Sequence, residues 1–140
     1  MDSVFFLKEC VKVDSKEGME MIKVKRVYEA VAPTDGYRVL VDRIWPRGVK
    51  KEVAAIDSWL KEVAPSTELR KWFGHDPERY DAFCQRYLAE LKKKPTDDAF
   101  RALQQIVKDH KTVTLVYGAK DETHNQAVVL AEELKKLPLK

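Results

Sequence analysis

The chain has 140 residues, 35 % of them charged, and a net charge of +3, which fits one compact domain with a well-solvated surface. No apolar run approaches the roughly 20 residues that a membrane span needs, and no basic segment leads into an apolar one at the N-terminus, so neither a membrane protein nor a secreted precursor is expected. Cys10 and Cys84 lack metal-ligand spacing, which argues against a disulfide scaffold and for a reducing, cytoplasmic location.

Residues 1–20 read as an N-terminal extension, with a short apolar run over 4–7 and a polar stretch ending at Gly18; folding is expected not to need it. Residues 21–27 alternate apolar and basic side chains, as a half-exposed strand does. Pro33-Thr34-Asp35-Gly36 is a turn. Residues 39–41 read as a buried strand, closed by Pro46, which has no N–H for a ladder. The link between these two strands is too short for a helical crossover, which leaves the direction of the first strand open. The spacing of Ile56, Trp59, Leu60 and Val63 predicts a helix that stops before Pro65. Ser66 caps a second helix with Leu69, Trp72 and Phe73 inward and Gly74 at its end. Asp76 and Pro77 start a third, whose apolar face is Tyr80, Phe83, Cys84, Tyr87, Leu88 and Leu91. Thr96 caps a fourth that buries Phe100, Leu103, Ile106 and Val107. Residues 112–117 form a strand, and Asp121 or Thr123 caps a last helix running toward Leu137. The expectation is an α/β fold over residues 21–140: a single domain with a small, mostly parallel sheet flanked by helices around one contiguous core.

In open α/β sheets, ligands bind beyond the carboxyl ends of the strands. Two predicted strands run there into polar clusters, Asp42-Arg43-Ile44-Trp45-Pro46-Arg47-Gly48 and Tyr117-Gly118-Ala119-Lys120-Asp121-Glu122-Thr123-His124-Asn125. Asp42 follows a buried run, so its carboxylate needs a partner. Arg43 and Arg47 suit bidentate capture of a phosphate or carboxylate. Trp45 serves either as a core plug or as a stacking platform. His124, expected in the first turn of the last helix, would be kept neutral by the helix N-terminus, which also favours bound anions. Asp42, Tyr117 and His124 are therefore the candidate catalytic residues. Arg43, Trp45, Arg47, Lys120 and Asn125 are candidate ligand-binding residues, joined by His75 from the turn before the third helix. The plainer alternative is an Asp–Arg pair fixing one loop and a histidine hydrogen-bonded into the other. If the two strands are parallel neighbours, both loops share one rim.

The stretches 39–48, 64–77 and 115–121, with His124-Asn125, resemble in order the YeaO-like family of small bacterial and archaeal proteins, part of a larger family of unknown function. The resemblance spans roughly residues 21–137 and implies a cytoplasmic α/β domain. It brings no cofactor or catalytic set. A longer branch of the larger family carries cysteines near the positions of Tyr117 and Thr123; this chain has neither, so thiol chemistry does not transfer.

The expected function is binding of an anionic small molecule, a nucleotide or phosphorylated metabolite, with hydrolase-type acid/base chemistry as an extension. Two alternatives compete. One is a nucleic-acid-associated module using the basic residues between Lys23 and Lys51; the other is a non-catalytic interaction protein. No cofactor or metal is expected, because the chain has no P-loop, dinucleotide fingerprint, nucleophile elbow or Cys/His set.

Overall fold

The computed structural model describes residues 21–136. The expectations for residues 1–20, and for the end of the last helix at Leu137, fall outside them. Four strands, β1 (Met21–Arg26), β2 (Tyr37–Leu40), β3 (Ser58–Trp59) and β4 (Thr112–Tyr117), form one parallel sheet in the order β1-β4-β2-β3. Five helices accompany them: α1 (Lys51–Ala54), α2 (Thr67–Phe73), α3 (Tyr80–Glu90), α4 (Thr96–Asp109) and α5 (Gln126–Lys135). Among the described residues, no helix is long and apolar enough to cross a membrane.

The direction left open by the sequence is now settled. β1 runs parallel to β4, with Met21 opposite Thr112 and Arg26 opposite Tyr117. Residues 27–36 then return to the start of β2 without a regular helix, using one 3-10 turn at Pro33–Asp35. Ten or so extended residues reach about 33 Å, enough to pass back along a six-residue strand of about 20 Å. The return closes at Gly36, whose φ is +67° and where an added Cβ would lie 2.3 Å from the Thr112 carbonyl oxygen. Gly36→Ala is therefore expected to lose about 2–4 kcal/mol from combined backbone strain and overpacking. Urea unfolding measures it, and a loss below about 0.5 kcal/mol, the range of an ordinary surface change, would show that the crossing relaxes freely.

Beneath this return lies a buried ionic cluster. Asp35, 3 % exposed, accepts from Arg38 Nη1 at 2.6 Å, Lys25 Nζ at 3.0 Å and the Ala32 amide at 3.0 Å. Its carbonyl takes the Thr114 hydroxyl at 2.6 Å, and Arg38 Nε donates to the Ala54 carbonyl at 3.1 Å. Register explains the convergence: Lys25, Arg38 and Thr114 occupy alternate positions on neighbouring strands, so they emerge on one face.

Several local expectations hold. Ser66 Oγ accepts from the Leu69 amide at 3.1 Å, Gly74 ends α2 in the left-handed region, and Asp76 accepts from the Glu78 amide at 3.0 Å. Other expectations are corrected. The helix predicted from Ile56 to Val63 is instead the strand β3 and a 3-10 turn at Lys61–Val63. Four apolar residues satisfy either pattern, and the edge of β2 decides between them. Asp57 bonds the Arg38 backbone in both directions at 2.8 Å, and Trp59 Nε1 donates to the Asp42 carbonyl at 2.7 Å. Thr96 is the first residue of α4, behind Pro95, and caps nothing with its side chain. Asn125, rather than Asp121 or Thr123, caps α5.

The expected single core is two clusters. Val39, Val41, Val113, Leu115 and Tyr117 pack with Leu69, Phe73, Phe83, Tyr87, Leu103 and Leu130 of α2 to α5. Leu40 and Val116 point the other way and meet Val27, Ala54, Trp45 and Trp59. A parallel sheet covered on both faces sends alternate residues into different layers. On α5, Val128 is only part-buried, while Ala127 and Leu130 are buried.

Candidate functional site

β2 and β4 are adjacent and parallel, so the loops that follow them leave from the same edge of the sheet. Asp42 joins them. Its Oδ2 accepts from the Gly118 amide at 2.9 Å and its Oδ1 from Gln126 Nε2 at 2.6 Å. The approach favours glycine, since a Cβ at Gly118 would lie 3.0 Å from Asp42 Oδ2 and the carboxylate would have to move by a few tenths of an ångström. Between the loops and α2 opens a cleft of about 430 Å³, within the span of roughly 300–1,000 Å³ typical of small-molecule sites.

The loop after β2 contributes Asp42, Arg43, Trp45 and Arg47 to the lining; α2 and the turn after it contribute Arg70, Lys71, Phe73 and His75; the loop after β4 contributes Gly118, His124 and Asn125, and the start of α5 contributes Gln126. Among the described residues, four of the lining side chains are Arg or Lys, and Asp42 is the single acid. Burial pushes the Asp42 carboxyl up, against the Gly118 amide, Gln126 and the nearby charges of Arg70 and His75, to about 6.

His124 stands on the opposite lip. Its Nδ1 lies 2.9 Å from Asp121 Oδ2 and 3.0 Å from the Thr123 hydroxyl, and its ring meets Tyr80 edge-on at 4.9 Å. Asp121 also accepts the backbone amides of Thr123 and His124, both at 3.0 Å. These bonds, led by the Thr123 amide, hold its carboxyl at about 2 despite some desolvation. An ionised Asp121 on Nδ1 fixes the imidazole's orientation, as carboxylate partners of histidine do. His124 precedes the cap of α5 and so does not lie in the first helical turn.

Of the nine candidate residues, seven line the cleft: Asp42, Arg43, Trp45, Arg47, His75, His124 and Asn125. They do so in different ways. The Arg43 guanidinium donates to the Ala64 and Pro65 carbonyls at 2.9 and 3.1 Å, tying the loop to the entry of α2. Arg47 is exposed at the rim, with its carbonyl taking the Tyr28 hydroxyl at 2.9 Å. Trp45 is a half-buried wall, with Nε1 donating to the Val49 carbonyl at 2.8 Å and its ring edge-on to Trp59 at 5.3 Å. His75 reaches the cleft from a left-handed backbone, φ 59°. The Asn125 side chain accepts from the Val128 amide at 3.0 Å and donates to the Asp121 carbonyl at 2.8 Å, so its polar atoms hold the loop and helix together. Tyr117 packs in the main core and Lys120 is exposed; neither is in the lining.

Sequence reasoning missed Arg70, Lys71 and Gln126. Arg70 and Lys71 occupy exposed positions of a short helix and look like any solvated face. Gln126 carried a usable signal, because the first residue of a helix that follows a parallel strand sits at the carboxyl rim. The basic window proposed for nucleic acid is largely occupied by the protein itself. Lys23 donates to the Thr34 carbonyl at 2.8 Å and Arg26 to that of Ala119 at 2.8 Å, while Lys25 and Arg38 hold Asp35.

A family model described as the inactive DUF488-N3 subclade matches residues 21–138. The chain is similar to the uncharacterised protein YeaO of Escherichia coli (strain K12), with 47 % identity over 116 residues, covering 83 % of this chain and 98 % of the relative. It is also similar to the uncharacterised protein Rv3073c of Mycobacterium tuberculosis (strain ATCC 25618 / H37Rv), with 44 % identity over 113 residues, covering 81 % of this chain and 92 % of the relative. No solved structure matches at a significant level.

Proposed function

The chain belongs to the YeaO-like DUF488 family, and we propose that it binds a small anionic molecule, a nucleotide or phosphorylated metabolite, in the cleft between its two strand-end loops. One observation carries this reading: Arg43, Arg47, Arg70 and Lys71 line a single cleft whose one acid among the described residues is Asp42. Such an excess of positive charge in a walled site attracts and holds anions. Arg47 and Lys71 are exposed at the rim and carry the ligand's charge, whereas Arg43 shapes the wall through its bonds to Ala64 and Pro65. The description of the matching subclade as inactive favours binding over turnover. The Asp121–His124 pair and Asp42 then serve as recognition groups rather than as acid and base.

A thermal-shift screen of inorganic phosphate, nucleotides and sugar phosphates tests the proposal. A ligand at a hundredfold excess over its Kd adds about 2.7 kcal/mol of stability by mass action. Arg47→Ala and Lys71→Ala are each expected to weaken binding about tenfold, on the order of 1–3 kcal/mol for a lost charge-assisted bond, with unfolding in the absence of ligand unchanged. A screen in which no anion stabilises the protein overturns the reading.

A further inference from the structure

We infer that the ligand of this cleft is a nucleotide whose base turns adjacent N–H donors toward Asp42, guanine matching best, and whose phosphate lies toward Arg47 and Lys71. This deepens the anion-binding reading and rests on it.

A site for a bare anion gains nothing from a carboxylate in its wall. Asp42 repels such a ligand, and no other acid among the described residues lines the cleft. Yet the fold positions Asp42 with care: Oδ2 takes the Gly118 amide, Oδ1 takes Gln126 Nε2, and Gly118 has no side chain to obstruct the contact. An ionised carboxylate offers about four lone-pair positions, and these two bonds use one on each oxygen. What is left is a pair of acceptors in a site otherwise rich in donors.

The complementary ligand therefore has two unlike ends, an anionic one for the rim and a donor-bearing one for Asp42. Sugar hydroxyls and base N–H groups both donate, and the walls distinguish them. Half-buried Trp45 and the buried rings of Phe73 and Phe83 make the wall partly aromatic and apolar, which suits a flat ring better than a sugar. The cleft's 430 Å³ accommodates one drug-sized molecule. Guanine places N1–H and its 2-amino group side by side, the arrangement that engages both oxygens of one carboxylate, as a guanidinium does.

The test measures calorimetric binding of guanosine monophosphate, inosine monophosphate and inorganic phosphate at pH 7.5 to the full chain and to Asp42→Asn. Inosine monophosphate keeps the phosphate and the purine and lacks only the 2-amino group. The expected result is guanosine monophosphate binding about tenfold or more tightly than inosine monophosphate, the scale of one well-made base contact. Asp42→Asn is expected to erase that difference while inorganic phosphate still binds, as tightly as before or more so, since the rim cations are untouched and the repelling charge is gone. Equal binding of both nucleotides to the unaltered chain overturns the base assignment and leaves the anion site standing. No binding of any of the three overturns both. Joint loss of phosphate and nucleotide binding in an Asp42→Asn chain that still unfolds cooperatively shows that Asp42 shapes the cleft and overturns its role as a reader of the base. The comparison of the two nucleotides on the unaltered chain decides the matter even if the variant does not fold.

Discussion

Asp35→Ala is expected to lose about 3–5 kcal/mol of stability, the effect of removing one member of a buried ion pair and stranding its partner. Asp35 and Arg38 have side-chain exposures of 4 % and 3 %, and their 2.6 Å contact is reinforced by Lys25 at 3.0 Å. Without the carboxylate, Arg38 keeps only the Ala54 carbonyl on Nε, and its Nη2 already has no partner among the described residues. The double change Asp35→Asn with Arg38→Met should recover much of the loss, because it removes the buried charge rather than orphaning it. The pH dependence has a definite sign. Burial raises the Asp35 carboxyl, but the Ala32 amide, Lys25 and Arg38 outweigh it and leave the carboxyl below its ordinary value of 3.8. A depressed native pKa stabilises the fold at pH above that ordinary value, and the contribution disappears as pH falls through the lowered one. Urea unfolding at pH 7 and at progressively lower pH should therefore show the gap between the native chain and Asp35→Ala closing on acidification. A gap that stays constant across that range would mean the carboxylate is not held by these cations.

Phe83→Ala is the second large effect, about 3–5 kcal/mol for an aromatic side chain deleted from a packed core. Phe83, 2 % exposed, stacks on Phe73 at 4.3 Å and lies 6.0 Å from Tyr80 and 5.8 Å from Tyr87. It thereby joins α2 to α3, and Tyr87 continues the tie by donating its hydroxyl to the Val63 carbonyl. The same side chain forms part of the cleft wall. The deletion should therefore also reduce ligand-induced stabilisation, because α2 carries Arg70 and Lys71. Denaturant midpoints give the stability term. A loss below about 1 kcal/mol, far under the usual cost of such a deletion, would show that the stack closes over the cavity.

The parts of the site legible in the sequence are those set by short-range bonds. Ser66 finds the Leu69 amide three residues on, Asp76 finds the Glu78 amide two residues on, and Gly74 takes the left-handed conformation that ends α2. The apolar face of α3 and the two strand ends at Asp42 and Tyr117 follow from periodicity in the same way. Where periodicity is short, it fails. Ile56 to Val63 fit a helix as well as they fit β3 and its turn, and only the edge of β2, bonding through Asp57 and Trp59, selects the strand. The cap of α5 was misplaced for a related reason. Asp121, Thr123 and Asn125 are all competent caps, and Asp121 is taken by the turn that orients His124, which leaves Asn125 for the helix.

By itself the sequence determined the two strand-end loops of the candidate site, the helices α2 to α4 between them and the chain's resemblance to its family, because bonds within a few residues and the periods of 3.6 and 2 are written locally. Only the tertiary structure decided that β4 inserts between β1 and β2. That insertion brings Gly118 and Gln126, 76 and 84 residues away, onto the two oxygens of Asp42. It also buries Lys25 and Arg38 against Asp35, turning an apparent basic surface into internal structure. Arg70, Lys71 and His75 joined the cleft by the same route. Which charges face a ligand and which face one another depends on strand order and register, and these are set by the burial of whole faces rather than by any one residue's neighbours.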